Sequence, residues 1–110
     1  MSSLSRSVKT EQIKMRQLTV DITAATSAVS GFDKLGIREV IKNGAGDFTI
    51  VLKRPFNAKN ANTPRIQVMP MSAGVTSHLD ASAHDRVTVV LSADVDFTIS
   101  ILGCDHRFNV

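Results

Sequence analysis

From residue 36 onward, apolar and polar positions alternate with a period of two. In residues 47–53, Phe48, Ile50 and Leu52 share one face. In residues 86–91, Val87, Val89 and Leu91 stand against Thr88 and Val90, and in residues 96–102, Phe97, Ile99 and Ile101 stand against Thr98 and Ser100. β-Branched and aromatic residues alternating between Gly, Asp, Asn and Ser breaks are the pattern of half-buried strands. Further strands are expected at residues 18–22, 37–42 and 65–69. After residue 30 no long stretch carries a helical stripe. The predicted fold is mostly β: a single antiparallel β-sandwich or jelly-roll-like domain over residues 17–110, preceded by an extended basic arm at residues 1–16.

Side-chain pairing predicts two hairpins. A two-residue loop at Gly44-Ala45 places Lys42 opposite Asp47, Ile41 opposite Phe48 and Ile37 opposite Leu52, leaving Glu39 against Ile50. Gly44 in the first loop position suits a turn that requires positive φ. The second hairpin, its loop centred on Asp94, pairs Leu91 with Phe97, Val89 with Ile99 and Val87 with Ile101. Residues 55–64 are loop chemistry, rich in Asn and bracketed by Pro55 and Pro64, and residues 71–85 form a second weakly patterned stretch. Loops this long on a small β domain serve as binding surfaces or as crossovers between sheets. Near the N-terminus, Ile13 and Met15 alternate out of phase with Leu18, Val20 and Ile22, which predicts a bulge or two separate extended pieces.

With 110 residues, 43% of them hydrophobic and 21% charged, the chain fits one globular domain rather than a disordered segment. No apolar run approaches the roughly 20 residues of a bilayer-spanning helix, and residues 1–20 contain no signal-peptide core. Cys104 is the single cysteine, so an internal disulfide is excluded and synthesis in a reducing cytosol is expected. The net charge of +3 belongs to one end of the chain. Arg6, Lys9, Lys14 and Arg16 oppose only Glu11 in residues 1–20, whereas cations and anions balance over residues 21–110. Such an arm suits an acidic surface, whether protein or nucleic acid. Those four cations are the candidate partner-binding residues, and deleting residues 1–16 is expected to leave the fold standing.

Candidate chemistry is sparse. Cys104 and His106 offer a thiolate and an imidazole that His78 or His84 would have to complete as a zinc site, but the spacing is not that of a common zinc motif. The plainer reading makes Cys104 a small hydrophobe. As a nucleophilic pair, Cys104 and His106 lack an oxyanion-hole motif or Gly-rich elbow. Asp94-Val95-Asp96 reads as a turn rather than a paired-carboxylate site. Gly44-Ala45-Gly46 lies between strands, where no helix N-terminus follows to cradle a phosphate. The expectation is a non-enzyme with no cofactor and no metal. The chain has no Trp and no Tyr, which weakens both sugar stacking and single-stranded nucleic-acid recognition. Alternation commits Phe48 and Phe97 to the core, leaving Phe32, Phe56 and Phe108 as candidate exposed aromatics, at least one of which is expected to pack. Nucleic-acid binding through the arm alone would be salt-sensitive and non-specific.

Residues 36–56, with their strand, Gly44-Ala45-Gly46-Asp47-Phe48-Thr49-Ile50 turn and strand, and polar loop, resemble small β-rich virion proteins of tailed bacteriophages. Residues 86–103 resemble the last two strands of the same proteins. The resemblance implies a head-decoration, head–tail or tail-associated structural protein, made in the host cytoplasm and located in the virion. Its partners would be other copies of itself and other virion proteins in a symmetric assembly, with no small-molecule substrate and no membrane. Two other classes fit the sequence: a nucleic-acid-binding accessory protein using the basic arm, and a receptor- or glycan-binding module.

Overall fold

The computed structural model describes residues 14–56 and 64–105. Eight strands follow one another: β1 (Lys14–Thr23), β2 (Ala28–Ser30), β3 (Ile37–Gly44), β4 (Asp47–Leu52), β5 (Arg65–Pro70), β6 (Ser77–Ser82), β7 (Arg86–Leu91) and β8 (Phe97–Asp105). They form two four-stranded antiparallel sheets, one in the order β2-β1-β8-β5 and the other β3-β4-β7-β6. The β-sandwich expected from the alternation is the fold.

Most of the core comes from the in-phase residues of the four central strands, joined by Ala24, Ile37 and Phe56. Leu18, Val20 and Ile22 of β1 and Phe97, Ile99 and Ile101 of β8 face Phe48, Ile50 and Leu52 of β4 and Val87, Val89 and Leu91 of β7. All are buried, and no polar or charged residue among the described ones is buried with them. This division into an apolar inner face and a polar outer one is what a period of two produces in an antiparallel sandwich.

The second predicted hairpin does not exist. β7 pairs with β4 and β6, β8 pairs with β1 and β5, and the link between β7 and β8 crosses from one sheet to the other. Two strands with the same apolar alternation satisfy it equally well side by side or stacked across a core. Here they stack, which brings Phe97 over Phe48.

The first hairpin forms, with Ile37 opposite Leu52 as expected but a different register between them and the turn. Glu39 pairs with Val51, Val40 with Ile50 and Lys42 with Phe48, with register shifts at both ends of this run. Those irregularities turn Val40 toward the core and leave Ile41 and Glu39 outside, removing the buried-carboxylate conflict of the expected pairing. The residue with positive φ is Gly46 (73°), not Gly44.

β1 pairs with β8 from Lys14 to Ile22 without a register shift, so there is no bulge. Met15 sits on the outer face, exposed, which accounts for its phase. The strand begins earlier than residue 18, and Lys14 and Arg16 are part of the sheet. β6 occupies the middle of residues 71–85, a stretch expected to be loop. As an edge strand it buries none of its side chains, so its sequence carries no apolar alternation.

Candidate functional site

The loop from Gly31 to Gly36, between β2 and β3, presents the two most exposed large apolar side chains among the described residues: Phe32 is 99% and Leu35 75% exposed. The loop is nevertheless tied down. The Asp33 carboxylate accepts the Thr19 N–H at 2.8 Å, and the Asp33 carbonyl accepts the Gly36 N–H at 2.9 Å, closing a 3-10 turn at Lys34–Gly36. Gly31 adopts φ 105°, a conformation that favours glycine, where the chain leaves β2. The Lys53 N–H donates to the Gly36 carbonyl at 3.0 Å, fastening the loop to the end of β4.

Beside this loop lies an open cleft of about 610 Å³ lined by Arg16, Leu18, Leu35, Gly36, Lys53 and Arg54. Arg16 follows the inward phase of β1 rather than belonging to an arm. Its guanidinium stands 4.4 Å from the centroid of the Phe56 ring and donates to the Arg54 carbonyl at 2.6 Å. Opposite Arg16 on β8 is Gly103, where a Cβ would lie 2.6 Å from the Phe56 ring. The missing side chain makes the slot that Phe56 fills. Phe56 is therefore buried, the one of the three candidate exposed aromatics that packs among the described residues.

At the far end of β1 a polar clamp joins the sheets. Lys42 Nζ donates to the Ala24 carbonyl at 2.9 Å and to Asp94 at 2.8 Å. Asp94 also accepts the Gly46 N–H at 3.2 Å, while Asp96 accepts the Ala24 N–H at 2.8 Å. The bond from Lys42, aided by the Gly46 N–H, holds the Asp94 carboxyl below its ordinary value of 3.8. Both carboxylates of Asp94-Val95-Asp96 thus work within the fold, in a crossover between sheets rather than a hairpin turn.

The remaining candidates do not converge. His78 is exposed on β6 opposite Val90, and His84 is exposed in the turn before β7, where its carbonyl accepts the Phe56 N–H. Cys104 lies on β8 opposite Met15. Among the described residues, no group of three or more His, Cys, Asp or Glu is placed to hold a metal ion. Arg6, Lys9, His106 and Phe108 lie outside the described residues.

Sequence reasoning reached Phe32 by elimination and missed Leu35. The available signal was an apolar pair belonging to no strand period, set between Gly31 and Gly36. Comparison of the chain with protein-family models, with curated proteins and with solved structures finds no match.

Proposed function

We propose that this chain is a non-enzymatic virion structural protein, a capsid decoration or head–tail-associated component that acts through protein–protein contacts in a symmetric assembly. The observation that carries the reading is the anchored loop displaying Phe32 and Leu35 to solvent. Folding gains nothing from apolar side chains held there, whereas docking does. Exposed aromatic and aliphatic residues on a preorganised support are the usual anchors of protein interfaces. The virion assignment itself comes from the resemblance over residues 36–56, whose hairpin is formed by β3 and β4. The basic residues Arg6, Lys9 and Lys14 are assigned to contacts with acidic surfaces of neighbouring subunits.

Co-sedimentation of the labelled protein with emptied particles of the source virus tests the reading. Saturable binding is expected, together with its loss in a Phe32→Asp/Leu35→Asp variant whose thermal melt matches the wild type. Absence of binding to any particle form rejects the virion role. Binding that the double variant leaves intact rejects the loop as the docking element.

A further inference from the structure

Each sheet ends in two edge strands, and three of the four are poor templates for pairing. β2 is only three residues long, β3 carries two register shifts, and β6 carries one between Leu79 and Ala81. β5 differs. It pairs with β8 from Arg65↔Leu102 to Pro70↔Phe97 without irregularity, and among the described residues no strand lies on its other side.

The direction of its free backbone groups follows from one bond. The Met71 N–H donates to the Asp96 carbonyl at 2.9 Å, continuing the β5–β8 ladder one step beyond Pro70↔Phe97. In an antiparallel ladder, residues bonded to a given neighbour recur at every second position. Met69, Gln67 and Arg65 therefore bond to β8, while Ile66 and Val68 turn their N–H and C=O groups to the open edge. Pro70 falls in the outward set, where the lack of an N–H leaves no gap in the β8 ladder.

The side chains of the outward set are also incompletely covered. Ile66 and Val68 lie opposite the buried Ile101 and Ile99, on the core side of the sheet, yet both are only half-buried. Across the seam, Leu79 of the neighbouring β6 is 43% exposed.

We infer that β5 is a self-pairing edge: two copies join antiparallel through residues 65–69 about a two-fold axis at Gln67, making one eight-stranded sheet. The strand is built symmetrically for this, because Pro64 and Pro70 stand at equal distances on either side of Gln67. With Gln67 on the axis, Ile66 lies opposite Val68 of the second copy on the core side, and each exchanges N–H···O bonds with the other. Arg65 lies opposite Met69 on the outer face, so no like charges meet. At both ends Pro64 faces Pro70 of the second copy, where neither offers a donor and the ladder stops. This is an isologous contact, the same patch used by both copies. A ladder this short buries less than the roughly 1,200–2,000 Å² of a stable interface. The dimer in solution is therefore weak and dependent on concentration, and is strengthened where an assembly holds the copies close.

The pairing supplies a surface for the self-association in the proposed function, but its geometry does not depend on the virion reading. Sedimentation velocity over a concentration series, with three proteins, tests it. Wild type is expected to shift from monomer toward dimer as concentration rises. Val68→Pro, which removes an outward N–H and no bond to β8, is expected to remain monomeric with an unchanged circular dichroism spectrum. Gln67→Cys in a Cys104→Ser background places two thiols at a non-hydrogen-bonded pair, with Cα atoms about 4.5 Å apart, within disulfide reach. Mild oxidation is expected to give a linked dimer, a result that decides the matter even if the proline variant fails to fold. A wild type that stays monomeric while Gln67→Cys stays unlinked overturns the inference, as does a dimer that folded Val68→Pro leaves intact. None of these outcomes bears on particle binding through Phe32 and Leu35, so the two ideas fail separately.

Discussion

Phe48 and Phe97 stack across the sandwich, one from each sheet, with ring centroids 5.2 Å apart and planes inclined at 54°. Neither ring has any solvent exposure. Lys42 Nζ lies 5.6 Å from the centroid of Phe48, so the pair sits beneath the same cation that clamps Asp94. This tilted contact joins sheets that the chain connects only through loops.

Truncating either ring is expected to cost about 3–5 kcal/mol, the range for a buried aromatic replaced by alanine. Urea unfolding of Phe48→Ala and Phe97→Ala measures it. A loss below about 1 kcal/mol at either position is incompatible with a ring at the centre of the core.

Asp94 makes stability dependent on acid. Its carboxyl is depressed in the folded protein by the bond from Lys42 and by the Gly46 N–H. The folded state therefore favours the carboxylate. The resulting stabilisation is fully present above the ordinary carboxylate range and is lost as pH falls through the folded value. Melting temperature is expected to decline below about pH 4 in the wild type. Asp94→Asn should begin lower at neutral pH and lose less on acidification.

Gly46 serves the same clamp from the backbone. It has φ 73°, its carbonyl accepts the Leu91 N–H at 2.7 Å, and a Cβ would lie 2.7 Å from the Leu91 carbonyl oxygen. Gly46→Ala is expected to destabilise by about 1–3 kcal/mol through backbone strain alone, with a further cost because the obstructing atom is main chain. Gly44→Ala serves as the contrast, since a Cβ there meets nothing within 4 Å. Chemical denaturation of the two variants should separate them clearly.

The beginning of β1 contributes to the fold. Removing residues 1–16 deletes Lys14, Met15 and Arg16 from the β8 ladder and uncovers Phe56. A chain starting at residue 17 is expected to melt lower than one starting at residue 14, and Arg16→Ala in the full chain should cost about 0.5–2 kcal/mol. Equal melting temperatures for the two truncations would mean that Arg16 adds nothing over Phe56.

The candidate surfaces are only partly legible in the sequence. Phe32 stood out as an aromatic outside any strand period, but the exposure of Leu35 and the anchoring of their loop depend on Thr19 and Lys53, which are distant in the sequence. Arg16 read as one more cation of a basic arm because composition does not record which face of a strand a residue occupies. The sequence does not single out Phe56 as the aromatic that packs, because its slot exists only where Gly103 passes opposite Arg16.

What the sequence by itself determined is the set of inward positions on the central strands and the mostly β fold that follows. A period of two is a local property, set by the backbone pleat and by the need to bury one face. Which strands become neighbours is not local. The alternation in residues 86–91 and 96–102 is satisfied by any arrangement that turns both faces inward, and only the packing of two complete sheets decided that they oppose one another. The irregular register of β3, the edge position of β5 and β6 and the slot for Phe56 likewise arise from contacts between distant segments. Those contacts leave no period in the chain, so they became visible only in the tertiary structure.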